Sequence, residues 1–285
     1  MYPSQLFAVT ETGPQALPVP EGASSVHDIF DALPLGVYSA LRTFEHNKFL
    51  DLEAHLARTE QSMALLGWTY QLDRPLFCRS LHEVCTAYPG PDSRVRFDVL
   101  AAPATMLGSD SRVLIALSPF EPPPAHYYRE GVQVSLAPAL HRERPLVKTA
   151  DFVLKRRPFP LGEAQQYEHL LLDEAGHILE GSSSNFYAID QGALRTAGEQ
   201  VLAGITRRIV LQLAADLGLP VVLQPIHRDR LPAISEAFLS SASRGLLPIV
   251  AIAGQVVGDG RPGPVTRQLM AAYDDYVRQT IRTAI

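Results

Sequence analysis

Three lysines occur in this chain of 285 residues, Lys48, Lys148 and Lys155, and the other 22 of its 25 basic side chains are arginines. A bias toward arginine codons explains the ratio, and it leaves only three candidates for an amine nucleophile. Lys48 falls in the turn Glu45-His46-Asn47-Lys48, and Lys155 opens the charged run Lys155-Arg156-Arg157, which has the character of a wet face. Lys148 follows Pro145-Leu146-Val147, at the edge of an apolar stretch. Burial disfavours an ammonium, so a lysine among apolar neighbours can lose its proton near neutral pH and attack a carbonyl carbon. The competing reading is a lysine that lays its stem on apolar surface and keeps its head in water.

Two further segments could serve such a lysine. Residues 179–185 (LEGSSSN) place the acid Glu180 at a strand end, before a loop of small residues. Small residues let a planar ligand approach the backbone, and an acid beside it can pair with a protonated ring nitrogen. The alternative is a serine-rich hairpin with Glu180 at its solvated edge. In Leu202-Ala203-Gly204-Ile205-Thr206-Arg207 a glycine turn feeds a helix. The free N–H groups and the dipole of such an N-terminus suit a phosphate, and Thr206 can add its hydroxyl. The alternative is an ordinary helix start.

The elements that must position these residues can be read from periodicity. Residues 36–44 (GVYSALRTF) are rich in strand formers, and after the turn at 45–48 a second strand resumes at Phe49-Leu50. A helix is expected over residues 52–66, with Leu52, Leu56, Met63 and Leu66 on one face and Gly67 as its stop. In residues 94–101, Val95, Phe97 and Val99 alternate with Arg94, Arg96 and Asp98, and residues 113–117 form another strand. The prolines at 122–124 can continue neither helix nor sheet, so they mark a linker over 121–130 between a small N-terminal domain, 1–120, and a larger one, 131–285. Beyond it, strands are expected at 132–136, 185–189, 221–223, 237–240 and 249–252, with a hairpin joining 169–172 to 177–179. Helices are expected within 152–166, over 205–217 on the stripe Ile205, Ile209, Leu213 and Leu217, and over 264–282. Many strands with segregated helices give the class α+β.

Composition excludes several functions. A net charge of −5 offers no basic stripe for nucleic acid. No apolar run reaches membrane-spanning length, and the start Met1-Tyr2-Pro3-Ser4-Gln5 lacks a signal pattern. Two cysteines, Cys78 and Cys85, form no disulfide framework, which suits a cytoplasmic chain. Nine histidines occur without a zinc spacing, so no metal is expected. Ser182, Ser183 and Ser184 lack the GxSxG frame of a serine nucleophile, and Gly258-Asp259-Gly260 is no dinucleotide fingerprint.

Lys148-Thr149-Ala150-Asp151, then Glu180-Gly181-Ser182-Ser183-Ser184-Asn185, then Gly204-Ile205-Thr206-Arg207 resembles the ordered signature of the class IV aminotransferases. These are pyridoxal-phosphate enzymes of fold type IV, and they include branched-chain aminotransferases, D-amino-acid aminotransferases and aminodeoxychorismate lyases. The first half is similar too, in residues 36–42 and in the hxxHxxR-like helix at 51–58; residues 238–249 and 254–265 resemble the family's closing segments. The likeness runs in order over nearly the whole chain.

The resemblance implies a two-domain α+β fold with the active site between domains, and pyridoxal 5′-phosphate as cofactor. Lys148 would hold it as a Schiff base and shuttle the proton between the substrate Cα and the cofactor C4′. Glu180 would bind the pyridine nitrogen and Arg58 the phosphate, joined by the N–H groups of Ile205 and Thr206 beyond Gly204. Asn185 would lie near the phenolic oxygen. Tyr38, Arg42 and Arg96 match positions on the substrate side, where an arginine can grip a carboxylate with two parallel bonds; for Arg42 and Arg96 the alternative is a structural ion pair. Two departures stand out. Phe152 and Val153 occupy the region of a tyrosine usual in branched-chain enzymes. Ser240-Ser241-Ala242-Ser243 replaces a Gly-Thr pair, so that Ser241 or Ser243 supplies the hydroxyl; Ser241 and Ala242 are assigned to the cofactor and Ser243 to the substrate.

The implied reaction moves an amino group between a branched-chain-like amino acid and a 2-oxo acid. The alternatives are an aminodeoxychorismate lyase forming 4-aminobenzoate and pyruvate, suggested by the altered late loop, and a non-catalytic protein of the same fold. The hand of the amino acid, L or D, is open. The family also implies a homodimer.

Overall fold

The computed structural model describes residues 2–19, 33, 35–159, 162 and 166–285. It divides into two units: Met1–Glu121 with Val147–Leu154 and Gln279–Ile285, and Pro122–Leu146 with Lys155–Arg278.

The first unit is built on β1 (Gln5–Thr10), β2 (Gly13–Leu17), β3 (Gly36–Arg42), the short β4 (Lys48–Phe49), α1 (Leu52–Leu65), α2 (Arg74–Ala87), β5 (Ser93–Leu100) and β6 (Val113–Pro119). Its five-stranded sheet runs β2-β1-β6-β5-β3, every pair antiparallel, which leaves β3 on an edge. Val95, Phe97 and Val99 are fully buried, as their alternation predicts, and Phe77 of α2 sets its ring 4.8 Å from that of Phe97. The opposite face of β5 departs from expectation: Arg96 and Asp98 are buried as well. The β1–β2 hairpin and α2 went unread in the sequence. The signal for α2 was Asp73-Arg74-Pro75: Asp73 caps the helix by accepting from the Leu76 N–H at 2.9 Å, and proline suits the first turn.

The second unit opens on α3 (Ala125–Glu130), so 121–130 is not all linker. Proline stops the strand, but its fixed φ also prepares a helix start, and Pro124 is the N-cap here. After β7 (Val132–Leu136) the chain enters α4 (Asp151–Lys155). The helix expected within 152–166 thus starts at Asp151 and ends at Lys155; residues 160–161 and 163–165 lie outside the described residues. Then follow β8 (Glu168–Leu172), β9 (His177–Gly181), β10 (Asn185–Asp190), β11 (Ala193–Arg195), α5 (Ile205–Asp216), β12 (Val221–Val222), β13 (Ile226–His227), β14 (Glu236–Ser241), β15 (Gly245–Ile252), β16 (Gln255–Val256), α6 (Pro264–Thr280) and β17 (Arg282–Thr283). A split into 1–120 and 131–285 does not describe the division, because Val147–Leu154 and Gln279–Ile285 belong with the first unit, where β17 pairs with β4. The helix expected to run to 282 gives way at Thr280 to that short strand.

The ten-stranded sheet runs β12-β11-β10-β14-β15-β7-β8-β9-β13, with β16 on β15. It is mixed, as the α+β reading allows: β15 with β7 and β7 with β8 are parallel. One further pairing, Asn185 with Glu180, joins β10 to β9. That pairing closes six strands, β10-β14-β15-β7-β8-β9, into a ring, and it sets Glu180 and Asn185 side by side at the closure.

The buried face of α5 is Ile205, Thr206, Ile209, Val210 and Ala214, and Leu217 is exposed. A stripe repeating every four residues drifts about 40° per step on a helix of 3.6 residues per turn, so Leu217 has rotated out of the face that Ile205 and Ile209 begin. The start of α6 is capped from afar. The buried Glu236 accepts from the N–H groups of Val265 (3.1 Å) and Thr266 (2.7 Å). Glu236→Ala removes both charge-assisted bonds and is expected to cost about 2–3 kcal/mol. Urea unfolding measures this, and an unchanged midpoint would refute the cap.

Candidate active site

Lys148 is held by its backbone along the free edge of β3. Its carbonyl accepts from the Tyr38 N–H at 2.9 Å, the Ala150 N–H donates to the Gly36 carbonyl at 3.0 Å, and Val37 bridges Thr149 in antiparallel sense. The Lys148 N–H donates to Ser62 Oγ of α1 at 3.4 Å. The side chain is half-buried, with Nζ 4.7 Å from the centroid of the Tyr38 ring, and the Arg96 guanidinium carbon lies 4.4 Å from the same ring. An aromatic face attracts both cations. The other two lysines are engaged elsewhere: Lys48 pairs with Glu45, and Lys155 with Glu143.

Arg58 lies on α1, buried, and its Nη2 donates to Ser39 Oγ at 2.8 Å. Ser39 Oγ in turn lies 2.7 Å from His55 Nδ1. A hydroxyl that accepts from an arginine still has its proton to give, which suits a neutral His55 accepting at Nδ1. Burial, reinforced by the charges of Arg58 and Lys148, holds the His55 pKa well below its ordinary value.

Both candidate substrate arginines take up ion pairs. Arg96 grips Asp98 through Nε to Oδ2 and Nη2 to Oδ1, each 2.7 Å, with both side chains 1% exposed. Burial pushes the Asp98 carboxyl up, and Arg96 opposes that shift. Arg42 donates to Asp92 at 2.9 Å and lies over the rings of Phe44 and Phe120.

In the second unit Glu180 is 2% exposed, which removes the reading of a solvated hairpin edge. Arg142 Nε donates to its Oε1 at 2.8 Å; Oε2 accepts from the Leu202 N–H at 3.1 Å and faces Asn185 Nδ2 at 3.5 Å. Asn185 Nδ2 also donates to the Leu202 carbonyl at 3.0 Å, so this amide fixes the segment leading into α5. Gly204, the N-cap of α5, has no room for a side chain, because a Cβ there would collide with Asn185 Oδ1. Among the described residues no side chain caps α5, which leaves the N–H groups of Ile205 and Thr206 without that partner.

A second buried carboxylate organises the serine loop. Glu168 Oε1 accepts from the Ser183 N–H (2.5 Å) and Oγ (3.0 Å), and Oε2 from Arg244 Nη1 (2.8 Å). Burial, the largest influence, works against the Arg244 charge, but Glu168 and Tyr167 together raise its pKa. Ser184 Oγ is buried with no hydrogen-bond partner among the described residues. Ser241 ends β14, Ala242, Ser243 and Arg244 form the turn to β15, and Tyr187, stacked on Phe238, places its hydroxyl 2.9 Å from Ser240 Oγ. Phe152 and Val153 are buried and carry no hydroxyl. Arg142, Glu168 and Arg244 were not singled out from sequence. The available signal was charge beside strand residues, as in Glu168 ahead of a leucine run.

The chain aligns along 96% of its length, with a TM-score of 0.78 and 25% identity, with a putative branched-chain amino acid aminotransferase from Thermotoga maritima, covering 96% of that chain. The T.th. branched-chain amino acid aminotransferase, solved with pyridoxamine 5′-phosphate, shares the fold at a TM-score of 0.79 and 20% identity, over 99% of this chain and 98% of that one. The model of the amino-transferase class IV family matches residues 36–252, and the chain belongs to that family. Among relatives, a D-alanine aminotransferase of Bacillus licheniformis is 26% identical over 253 residues, 85% of this chain and 87% of its own length. A branched-chain-amino-acid aminotransferase of Pseudomonas aeruginosa is 39% identical over 111 residues, 39% of this chain and 36% of its own length.

Class IV aminotransferases use pyridoxal 5′-phosphate. The residues present fit that group: a buried, ion-paired carboxylate at Glu180, an uncapped helix start with no space for a Cβ at Gly204, and an unsatisfied hydroxyl at Ser184.

The neutral His55 makes a pH test. With its folded pKa below the ordinary 6.5, it contributes stability that is full above pH 6.5 and declines as the pH falls toward the folded value. His55→Gln cannot titrate, so it flattens that decline. Urea midpoints compared between about pH 5 and 8 read the difference, and identical slopes in both proteins would contradict it.

Proposed function

We propose that this chain exchanges an amino group between an amino acid and a 2-oxo acid, with pyridoxal 5′-phosphate held covalently at Lys148 Nζ. The observation that carries the reading is Lys148 itself. It is one of only three lysines in the chain. Its segment is locked to β3 within a family-matched stretch. When bound, the cofactor supplies an electron sink that acidifies the substrate Cα–H.

The chain's own groups divide the remaining work. Lys148 Nζ takes and returns the Cα proton. Glu180, kept charge-balanced by Arg142, accepts a hydrogen bond from the protonated ring nitrogen. Arg58, the N–H groups of Ile205 and Thr206 beyond Gly204, and Ser241 beside Ala242 would hold the phosphate. Asn185 supports Glu180 and the approach to α5. Tyr38 and Ser243 line the substrate side. Arg42 on β3 pairs with Asp92, just ahead of β5, and Arg96 with Asp98 within β5, so this reading gives neither arginine to a substrate carboxylate.

A branched-chain-like amino acid is the substrate this reading favours, supported by the Pseudomonas and Thermotoga relatives. The Bacillus relative supports a second reading, a D-amino acid such as D-alanine. The relatives are named as aminotransferases and do not favour the lyase alternative drawn from the late serine loop. The reading extends to a homodimer acting in the cytoplasm, and sedimentation of the purified protein tests the assembly.

Borohydride reduction of the cofactor-loaded protein followed by peptide mapping is expected to leave a pyridoxyl group on Lys148. Lys148→Ala is expected to lose that adduct and to lower transamination by on the order of 10³-fold. An adduct on Lys48 or Lys155, or none, would refute the assignment.

A further inference from the structure

Arg244 joins two serine loops that the preceding reading treats separately. Its Nε donates to Ser241 Oγ at 2.9 Å, its Nη1 to Glu168 Oε2 at 2.8 Å, and its Nη2 to the Ser183 carbonyl at 3.1 Å and Ser183 Oγ at 2.8 Å. The carbonyl of Arg244 is itself fixed by the Tyr128 hydroxyl at 2.8 Å. All three guanidinium nitrogens are therefore committed within the molecule. Only a rigid planar fork reaches three such partners together, and a lysine ammonium has no equivalent geometry.

The consequence falls on Ser241. A hydroxyl carries one proton and two lone pairs, and arginine offers no acceptor. Ser241 Oγ must accept from Arg244, so its proton points elsewhere, and it meets no acceptor among the described residues. We propose that Arg244 is a positioning residue: by occupying the Ser241 oxygen and tying Ser183 to the end of β14, it makes the Ser241 hydroxyl a committed donor to the cofactor phosphate. This inference rests on the pyridoxal-phosphate reading. It also accounts for Glu168, which balances the buried guanidinium and holds Ser183 in place.

The test uses the full-length protein stripped of cofactor and titrated with pyridoxal 5′-phosphate or with pyridoxal, which lacks the phosphate; bound aldehyde absorbance is the readout. Arg244→Lys keeps a cation beside Glu168 but loses the bond to Ser241, and Ser241→Ala removes the hydroxyl. Each is expected to weaken pyridoxal 5′-phosphate about tenfold, the loss of one charge-assisted hydrogen bond, and to leave pyridoxal within about twofold. The double variant is expected to bind no more weakly than Arg244→Lys, since both changes remove one interaction. Equal weakening of both aldehydes would show a purely structural role and overturn the inference, as would unchanged pyridoxal 5′-phosphate affinity. A wild-type protein that binds neither aldehyde would overturn the cofactor reading itself, an outcome distinct from the other two.

Discussion

A carboxylate removed from water must find donors, and four in this chain find them inside the elements that carry the proposed site. Glu180 has Arg142 and the Leu202 N–H, Glu168 has Arg244 and Ser183, Glu236 has the first N–H groups of α6, and Asp98 has Arg96. An unpaired buried charge is strongly destabilising, so each pair fixes the loop or strand that brings its partner. The approach to α5, the serine loop and the turn from β14 to β15 owe their shape to these contacts. Glu180, Asn185, Gly204 and Ser241 lie on those same segments, so there stability and the geometry of the candidate site share one cause.

Lys148 is positioned differently. Main-chain bonds to the edge of β3 align its backbone, and Nζ lies beside the Tyr38 ring. An edge strand has unpaired N–H and C=O groups, and here a single bridge uses them. Fixing Lys148 by its main chain suits the proposed role, in which one side chain both holds the cofactor and moves a proton.

Much of this was legible in the sequence because local rules apply. The bounds of β7 follow from alternation and those of α1 to within a residue from its apolar spacing; Glu180 and Gly204 were marked by small residues beside an acid and by a turn feeding a helix. Non-local facts were hidden. Nothing near Arg142 announces that it will meet Glu180, 38 residues on, and nothing near Arg244 announces Glu168, 76 residues back. The same limit applies to β5, where alternation fixed the faces but not that the polar one would be buried, and so left Arg96 and Arg42 open between substrate and ion pair. Closure of the six-stranded ring depends on strand pairing across the unit, which periodicity does not encode.

The central claim is a transaminase that runs by half-reactions, and a single-turnover titration reads it most directly. The cofactor-loaded protein is mixed with one amino acid at a time, in L and D forms, with no 2-oxo acid present, and the cofactor absorbance is followed. Conversion to the pyridoxamine form, reversed on adding a 2-oxo acid, is the predicted result for at least one aliphatic amino acid. Loaded protein that converts with none of them would contradict the account.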